Sequence, residues 1–302
     1  MLRSQVTRVY LRTQEINIGD VTLNLIRNFN WKITVRLALA ATILLSAGEA
    51  FAQNTKAIGK TWPADQRVAI SQIKHDDFDT LLKKYVDKDG MVKYKDWHAS
   101  TEDRTKLQTY INSLSRANLK QPSENKDKLA YWINAYNAVT IEGILQVYPT
   151  SSIKNHTSNG FGYNIWKKLF LTVDDTRINL DSIEHKVLRK MNEPRIHFAI
   201  VCASISCPRL LNEAYVGDKL EKQLVTNTKD FFSRSRNFQA NSSGQIQMSK
   251  IIEWFGKDFG QSQNDQLRVL YPYFPESARQ ALAGKSVSVQ YLNYDWNLNE
   301  QR

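Results

Sequence analysis

The chain has 302 residues, with 41 Lys and Arg against 30 Asp and Glu, a formal net charge of +11, and 42% hydrophobic residues. That apolar share supports a substantial core and excludes a disordered or collagen-like chain. Basic and acidic residues are interleaved along the sequence and form no arginine-rich block, so the charge is read as a basic surface, with no nucleic-acid partner expected.

Residues 37–52, LALAATILLSAGEAFA, form an apolar run behind Arg27, Lys32 and Arg36, and they close on Ala50-Phe51-Ala52. A charged flank, an apolar centre and a small-x-small end predict a cleavable secretory signal over residues 1–52, with the mature chain starting at Gln53. The uninterrupted apolar stretch is shorter than the roughly 20 residues a spanning helix needs, and Glu49 breaks its far end, so no stable membrane span is expected after cleavage. Residues 1–26 are long for such a signal, which puts an initiation site downstream of Met1 among the expectations. The exported part is expected in the periplasm or outside the cell. Removing six Lys or Arg and three Asp or Glu leaves it at 35 minus 27, or +8.

Residues 53–74 read as a polar lead-in and 75–302 as one globular domain, together about 250 residues, a size that fits a single core. Phe78, Leu81, Leu82 and Tyr85 recur at helical spacing and predict a helix over Asp76–Val86. DKDGMVKY (87–94) turns at Asp89-Gly90 into a short strand. Its glycine is fourth rather than sixth in the loop and no glutamate closes it, which argues against calcium. A helix around Arg104–Ala117 follows, then Ser123 as cap of a long helix from Lys126 to Val147, stopped by Tyr148-Pro149. Apolar residues surround that helix, so it should be central, with Asn134 and Asn137 on its buried surface.

NHTSNGFGYNIW (155–166) reads as a loop whose Phe161, Tyr163 and Trp166 rim a cleft. LTVDDTRINL (171–180) reads as two strands around an Asp-Asp-Thr turn, followed by a helix capped by Asp181 and running to Met191. RIHFAIVCA (195–203) is the most strand-like segment. A helix near 217–233, a hairpin over 238–248, helices near 249–258, 263–272 and 275–283, and a strand over 286–292 complete the chain. The expected fold class is α+β, predominantly helical, with a small mixed or antiparallel sheet around a long buried helix.

Candidate chemistry gathers in the second half. In an oxidising envelope Cys202 and Cys207 form either a disulfide or a reactive site. A bridge across so short a loop contributes on the order of 2 kcal/mol in the loop-closure model, which leaves reactivity in play. On a strand His197 faces away from Cys202, which separates the simplest thiol and base. Glu184 lies within an apolar helical stripe and His185 beside it. A carboxylate there orients a histidine, acts as acid or base, or pairs with Arg195 or Arg209. Asn134 and Asn137 either hold a loop or donate to a substrate, and Asp295 either fixes a histidine tautomer or ties down the terminus. The five histidines have no metal-ligand spacing, and no cofactor motif is present.

YWINAYNAV (131–139), LDSIEH followed by Leu188-Arg189, RIHFAIVCASISCPRL (195–210) and the terminal YDWNLN together resemble the domain of unknown function number 547 family over residues 75–300. The resemblance implies an exported bacterial member. Because such domains also occur beside glutaredoxin modules, it further implies a connection with thiols and favours Cys202 as the shared cysteine. The order of buried helix, His-bearing strand and late Asp also resembles papain- and transglutaminase-like thiol enzymes, but Tyr131, Trp132 and Asn134 stand where their helix-start cysteine belongs.

Two readings follow. One is a thiol-dependent enzyme for acyl or amide chemistry, with Cys202, His197, Glu184, His185 and Asp295 as catalytic candidates. Its candidate substrate-binding residues are Asn134, Asn137, Ser206, Cys207 and Phe161. The other is a non-enzymatic envelope binding or scaffold module with a structural Cys202–Cys207 disulfide. Both expect an unidentified ligand or envelope component as partner, without metal or cofactor.

Overall fold

Two hydrophobic cores organise the residues that the computed structural model describes, 55–156 and 164–301. The expected signal over 1–52 and the loop residues Gly160, Phe161, Gly162 and Tyr163 lie outside the described residues.

In the larger core, helices α1 (Asp76–Tyr85), α2 (Tyr94–Ala99) and α3 (Thr101–Leu114) gather around α4 (Asn125–Val147). α1 carries Asp76, Asp77 and Asp79 in its first turn and Lys83 and Lys84 in its last, matching the helix dipole at both ends. Every residue of α4 from Leu129 to Leu145 is buried. The helix starts after Glu124 rather than at a Ser123 cap. The Glu124 carbonyl accepts from the Asp127 and Lys128 N–H groups, while the buried Ser123 hydroxyl has no partner among the described residues. Buried Glu142 is answered by Arg104 at 3.1 Å and Gln146 at 2.8 Å.

The polar lead-in belongs to this core through buried Ile58, Ile70 and Ile73. Strand β1 (Lys56–Ile58) pairs in parallel with β4 (Leu169–Val173), and β4 pairs antiparallel with β5 (Thr176–Asn179). Between β1 and β4 in the sequence, β2 (Val68–Ala69) and β3 (Ala117–Asn118) form a separate short parallel ladder, and α5 (Ile165–Lys168) leads into β4. The β4–β5 turn takes positive φ at both central residues, Asp174 and Asp175, as tight hairpins require. Arg67 holds the two carboxylates at 2.7 and 2.6 Å. Asn179, not Asp181, caps the next helical stretch by accepting from the Ser182 N–H. That stretch is α6 (Leu180–Ser182), then a π turn over Ile183–Val187, then a 3-10 turn over Leu188–Met191.

Residues 195–203 are not a strand. Pro194–Phe198 is a 3-10 helix, begun by a proline whose missing N–H costs nothing there and by Glu193, whose side chain accepts from the Arg195 N–H. An irregular run follows whose backbone is paired by α4 instead of by a neighbouring strand. Asn137 Nδ2 donates to the Ala199 carbonyl at 3.0 Å, and the Val201 N–H donates to Asn137 Oδ1 at 2.9 Å. One turn earlier Asn134 makes the same double bond with the Tyr215 backbone, at 2.7 and 2.9 Å. The apolar composition that looks like a strand thus reflects burial rather than sheet pairing.

The smaller core packs α7 (Leu220–Ser233), α8 (Lys250–Phe259), α9 (Gln263–Leu270) and α10 (Glu276–Leu282) around phenylalanine rings. Its sheet is the antiparallel hairpin β6 (Phe238–Ala240) and β7 (Gln245–Met248), with β8 (Ser288–Tyr291) parallel to β7. Phe198 enters it from the 3-10 helix, with ring centroids 4.8 Å from Phe231 and 5.6 Å from Phe259. The fold is therefore α+β and mostly helical, with small mixed sheets and a long buried helix. Among the described residues no helix is long and apolar enough to cross a membrane.

Candidate functional site

Where the two cores meet, a cavity of about 350 Å³ opens. The larger core supplies Tyr136 from α4, Glu184 and His185 from the π turn, and both cysteines. The smaller core supplies Ile251, Trp254 and Phe255 from α8, and the carboxyl-terminal tail adds Tyr294 and Trp296.

Cys202 and Cys207 are joined as a disulfide across a Cα–Cα distance of 6.4 Å. Ala203, in the left-handed region at φ 58°, reverses the chain, and the Cys207 N–H closes a turn on the Ser204 carbonyl. Tyr294 sits over the bridge: its hydroxyl donates to Cys207 Sγ at 3.2 Å and accepts from the Ser204 hydroxyl at 3.0 Å. The Cys202 N–H also points at Cys207 Sγ, 3.0 Å away. Burial raises the Tyr294 phenol above its ordinary pKa, so it stays a neutral donor.

The histidine beside this bridge is hydrogen-bonded elsewhere. His197 Nε2 lies 2.8 Å from Asp258 Oδ2, with its ring stacked on Phe255 at 4.2 Å. Arg189 grips the same carboxylate through Nε at 2.6 Å and Nη2 at 2.7 Å, and its Nη1 lies 3.1 Å from His185 Nδ1. Burial lowers His197 to a pKa of about 4 against the pull of Asp258. Burial works to raise Asp258, but the bonds from Arg189 and His197 outweigh it and hold the carboxyl below its usual range. The pair is therefore a neutral imidazole donating to a carboxylate at neutral pH. The orienting carboxylate is Asp258, on α8, which the sequence reading did not single out.

Glu184 stands half-buried in the cavity wall, accepting from the Tyr136 hydroxyl at 3.3 Å, and burial raises its pKa. Neither expected arginine reaches it: Arg195 pairs with Glu193 and Glu221, and Arg209 with Asn227 and Asp230. The π turn puts Glu184 and His185 on the cavity together. Such turns insert a residue and often mark functional positions.

Four sequence candidates thus share one cavity: Cys202, His197, Glu184 and His185, with Cys207 beside them. The alternation that would set His197 away from Cys202 does not apply to a 3-10 helix. Asn134 and Asn137 are buried and spend their amides on backbone. Asp295 accepts from the Asn297 N–H and the Ser206 hydroxyl accepts from the Asp295 N–H; among the described residues neither side chain lines the cavity, and Asp295 has no hydrogen bond to a histidine. Trp166, one of the expected rim residues, lines the cavity, whereas Phe161 lies outside the described residues. Among the described residues no group of three or more His, Cys, Asp or Glu is placed to hold a metal ion.

The residues missed by sequence, Asp258, Trp254, Phe255 and Arg189, sit on helical faces 60 or more positions apart in two groups. Only the amphipathic stripe of α8, with Asp258 beside Phe255 and Phe259, offered a signal. Comparison with curated proteins and with solved structures finds no match. Residues 119–232, which contain α4, the π turn and both cysteines, match the model of the family described as protein of unknown function, DUF547.

Proposed function

We propose that the domain is an exported binding module that takes a small ligand in the cavity between its two cores. The observation that carries this reading is the cavity itself. It has the size and the apolar, aromatic lining of a ligand site with a few convergent polar groups, while the sulfurs beside it are tied to each other and the histidine to Asp258. Titrating a small-molecule panel while following tryptophan emission tests it, since Trp166, Trp254 and Trp296 all line the cavity. A saturable shift abolished by Ile251→Trp, which fills the cavity, is the expected result; a shift indifferent to that substitution defeats it.

Export is part of the proposal, supported by the charged, apolar and small-residue signature over 1–52. Amino-terminal sequencing of the periplasmic or secreted product should begin at Gln53, and an intact leader retained in membranes counts against it.

The thiol-dependent enzyme is the second reading, favoured because both sulfurs line the same cavity as His197 and Glu184. It needs the pair reduced, so that Cys202 becomes a thiol. Mass spectrometry with and without reductant, followed by pH-dependent alkylation, separates the two. A dithiol whose Cys202 alkylates below its ordinary pKa supports the enzyme, and a persistent bridge in ligand-binding protein removes it.

A further inference from the structure

The rings at the cavity mouth form a continuous wall. Trp254 and Tyr294 lie 4.9 Å apart, Tyr294 and Trp296 4.5 Å, and Trp254 and Trp296 5.8 Å at a shallow 26°. Trp166 meets Trp296 edge-on at 6.4 Å and turns a corner. Trp254 is 47% exposed, ahead of Val269 and Tyr271 among the exposed large hydrophobics. The exposed Trp254 ring beside the partly buried rings of Tyr294 and Trp296, leading into a cavity with polar groups, forms a patch of the kind that marks a binding surface rather than scattered surface hydrophobics.

We infer that this wall and cavity take a glycan, a conclusion that rests on the ligand-binding reading above. A pyranose ring presents C–H groups on its faces and hydroxyls around its edge. The faces suit the negative π surface of a tryptophan. The edge needs donors and acceptors within reach. Asp181, Glu184, His185, Asn164 and Lys167 supply both kinds along the same cavity.

Two other ligand classes fit worse. A quaternary ammonium wants bare aromatic faces and a fixed negative charge. Here Arg189 already lies over Phe255 at 5.4 Å and Lys154 over Trp296 at 5.0 Å, so two of the aromatic faces are already taken by cations. A fatty acyl chain would bury the carboxyl of Glu184 and the edge of His185 against hydrocarbon without new hydrogen bonds. A glycan offers hydroxyls to Glu184 and His185, and with Lys154 over one face of Trp296 the platform it stacks on is the exposed Trp254.

Isothermal titration of the mature protein with chitotetraose and cellotetraose tests this, with choline and decanoate as the competing classes. The expected result is saturable binding of at least one tetrasaccharide with a shift in tryptophan emission. Trp254→Ala should weaken it at least tenfold without changing the unfolding midpoint, because the side chain is half exposed, and Trp254→Phe should recover part of the affinity. Binding of choline or decanoate, with neither saccharide, overturns the glycan and keeps the ligand site. Binding of none of the four overturns both. Saccharide binding that Trp254→Ala leaves unchanged places the sugar elsewhere and overturns the inference.

Discussion

The two cores are built on different principles. Along α4 the buried carboxamides and the carboxylate find partners: Asn134 and Asn137 each satisfy a backbone N–H and a carbonyl, and Glu142 meets Arg104, while Trp97 Nε1, Arg104 Nε and the Ser123 hydroxyl have no partner among the described residues. In the smaller core Asn237 is wholly buried, yet neither atom of its carboxamide has a protein partner among the described residues, while Phe198, Phe231, Phe232, Phe238 and Phe274 pack ring against ring. Directional bonds fix a unique arrangement and punish errors, whereas apolar packing supplies stability with weaker directional demands. The cavity lies between the two, with His197 from the larger core's side meeting Asp258 of α8.

The sharpest way to break that comparison is Phe198→Ala, which removes the ring that the 3-10 helix inserts among the phenylalanines. Truncating a buried Phe costs about 3–5 kcal/mol. Chemical denaturation followed both by tryptophan emission and by circular dichroism should show one weakened transition; two separated transitions would mean that the cores fold independently.

Asn137→Ala probes the other principle. It orphans the Ala199 carbonyl and the Val201 N–H, and about 1–3 kcal/mol is expected for each. The same measurement checks it, and a loss under 1 kcal/mol would show that the backbone finds other partners.

Acid sharpens the seam. His197 and His75 both sit near pKa 4 in the fold, lowered by burial, against about 6.5 when unfolded. Their neutral forms favour the native state, so their contribution is complete above pH 6.5 and is lost as pH falls towards 4, when the unfolded chain takes up protons first. Unfolding free energy should therefore drop by a few kcal/mol across that window. His197→Asn should flatten part of the slope, leaving the share of His75, which is bonded to Tyr110 in the larger core. An unchanged slope would show that His197 titrates in the fold as it does in the unfolded chain.

Opening the Cys202–Cys207 loop is expected to have the smallest effect, about 2 kcal/mol by loop closure. A Cys202→Ala, Cys207→Ala double variant should keep its circular dichroism spectrum and lose only that much, and complete unfolding would show that the bridge is essential to the larger core.

Elements with strong local signals were legible in the sequence. The hydrophobic girdle of α4 marked it as central, and Asp174-Asp175 and the Asn-Ser-Ser-Gly stretch marked two hairpins. Residues 195–203 misled because a β-like composition also suits a run buried against a helix. Of the site, the neighbourhood of Cys202, His197, Glu184 and His185 was legible. Its wiring was not, because Asp258 lies 61 positions from His197 on a helix whose acids look like ordinary surface charges. The amides of Asn134 and Asn137 offer the same atoms to a ligand as to a backbone, and only the path of the chain decides between them.

That path has a consequence for association between copies. Residues 199–202 belong to the most β-prone stretch of the chain, yet each of their N–H groups is already taken. Ala199 and Ile200 donate to the Ile196 carbonyl, Val201 to Asn137, and Cys202 to Cys207 Sγ. An open strand of this composition would present a ladder edge to any neighbouring molecule. Here a helix side chain and a sulfur stand in for the missing strand, so the donors that a neighbouring strand would need from this segment are already engaged.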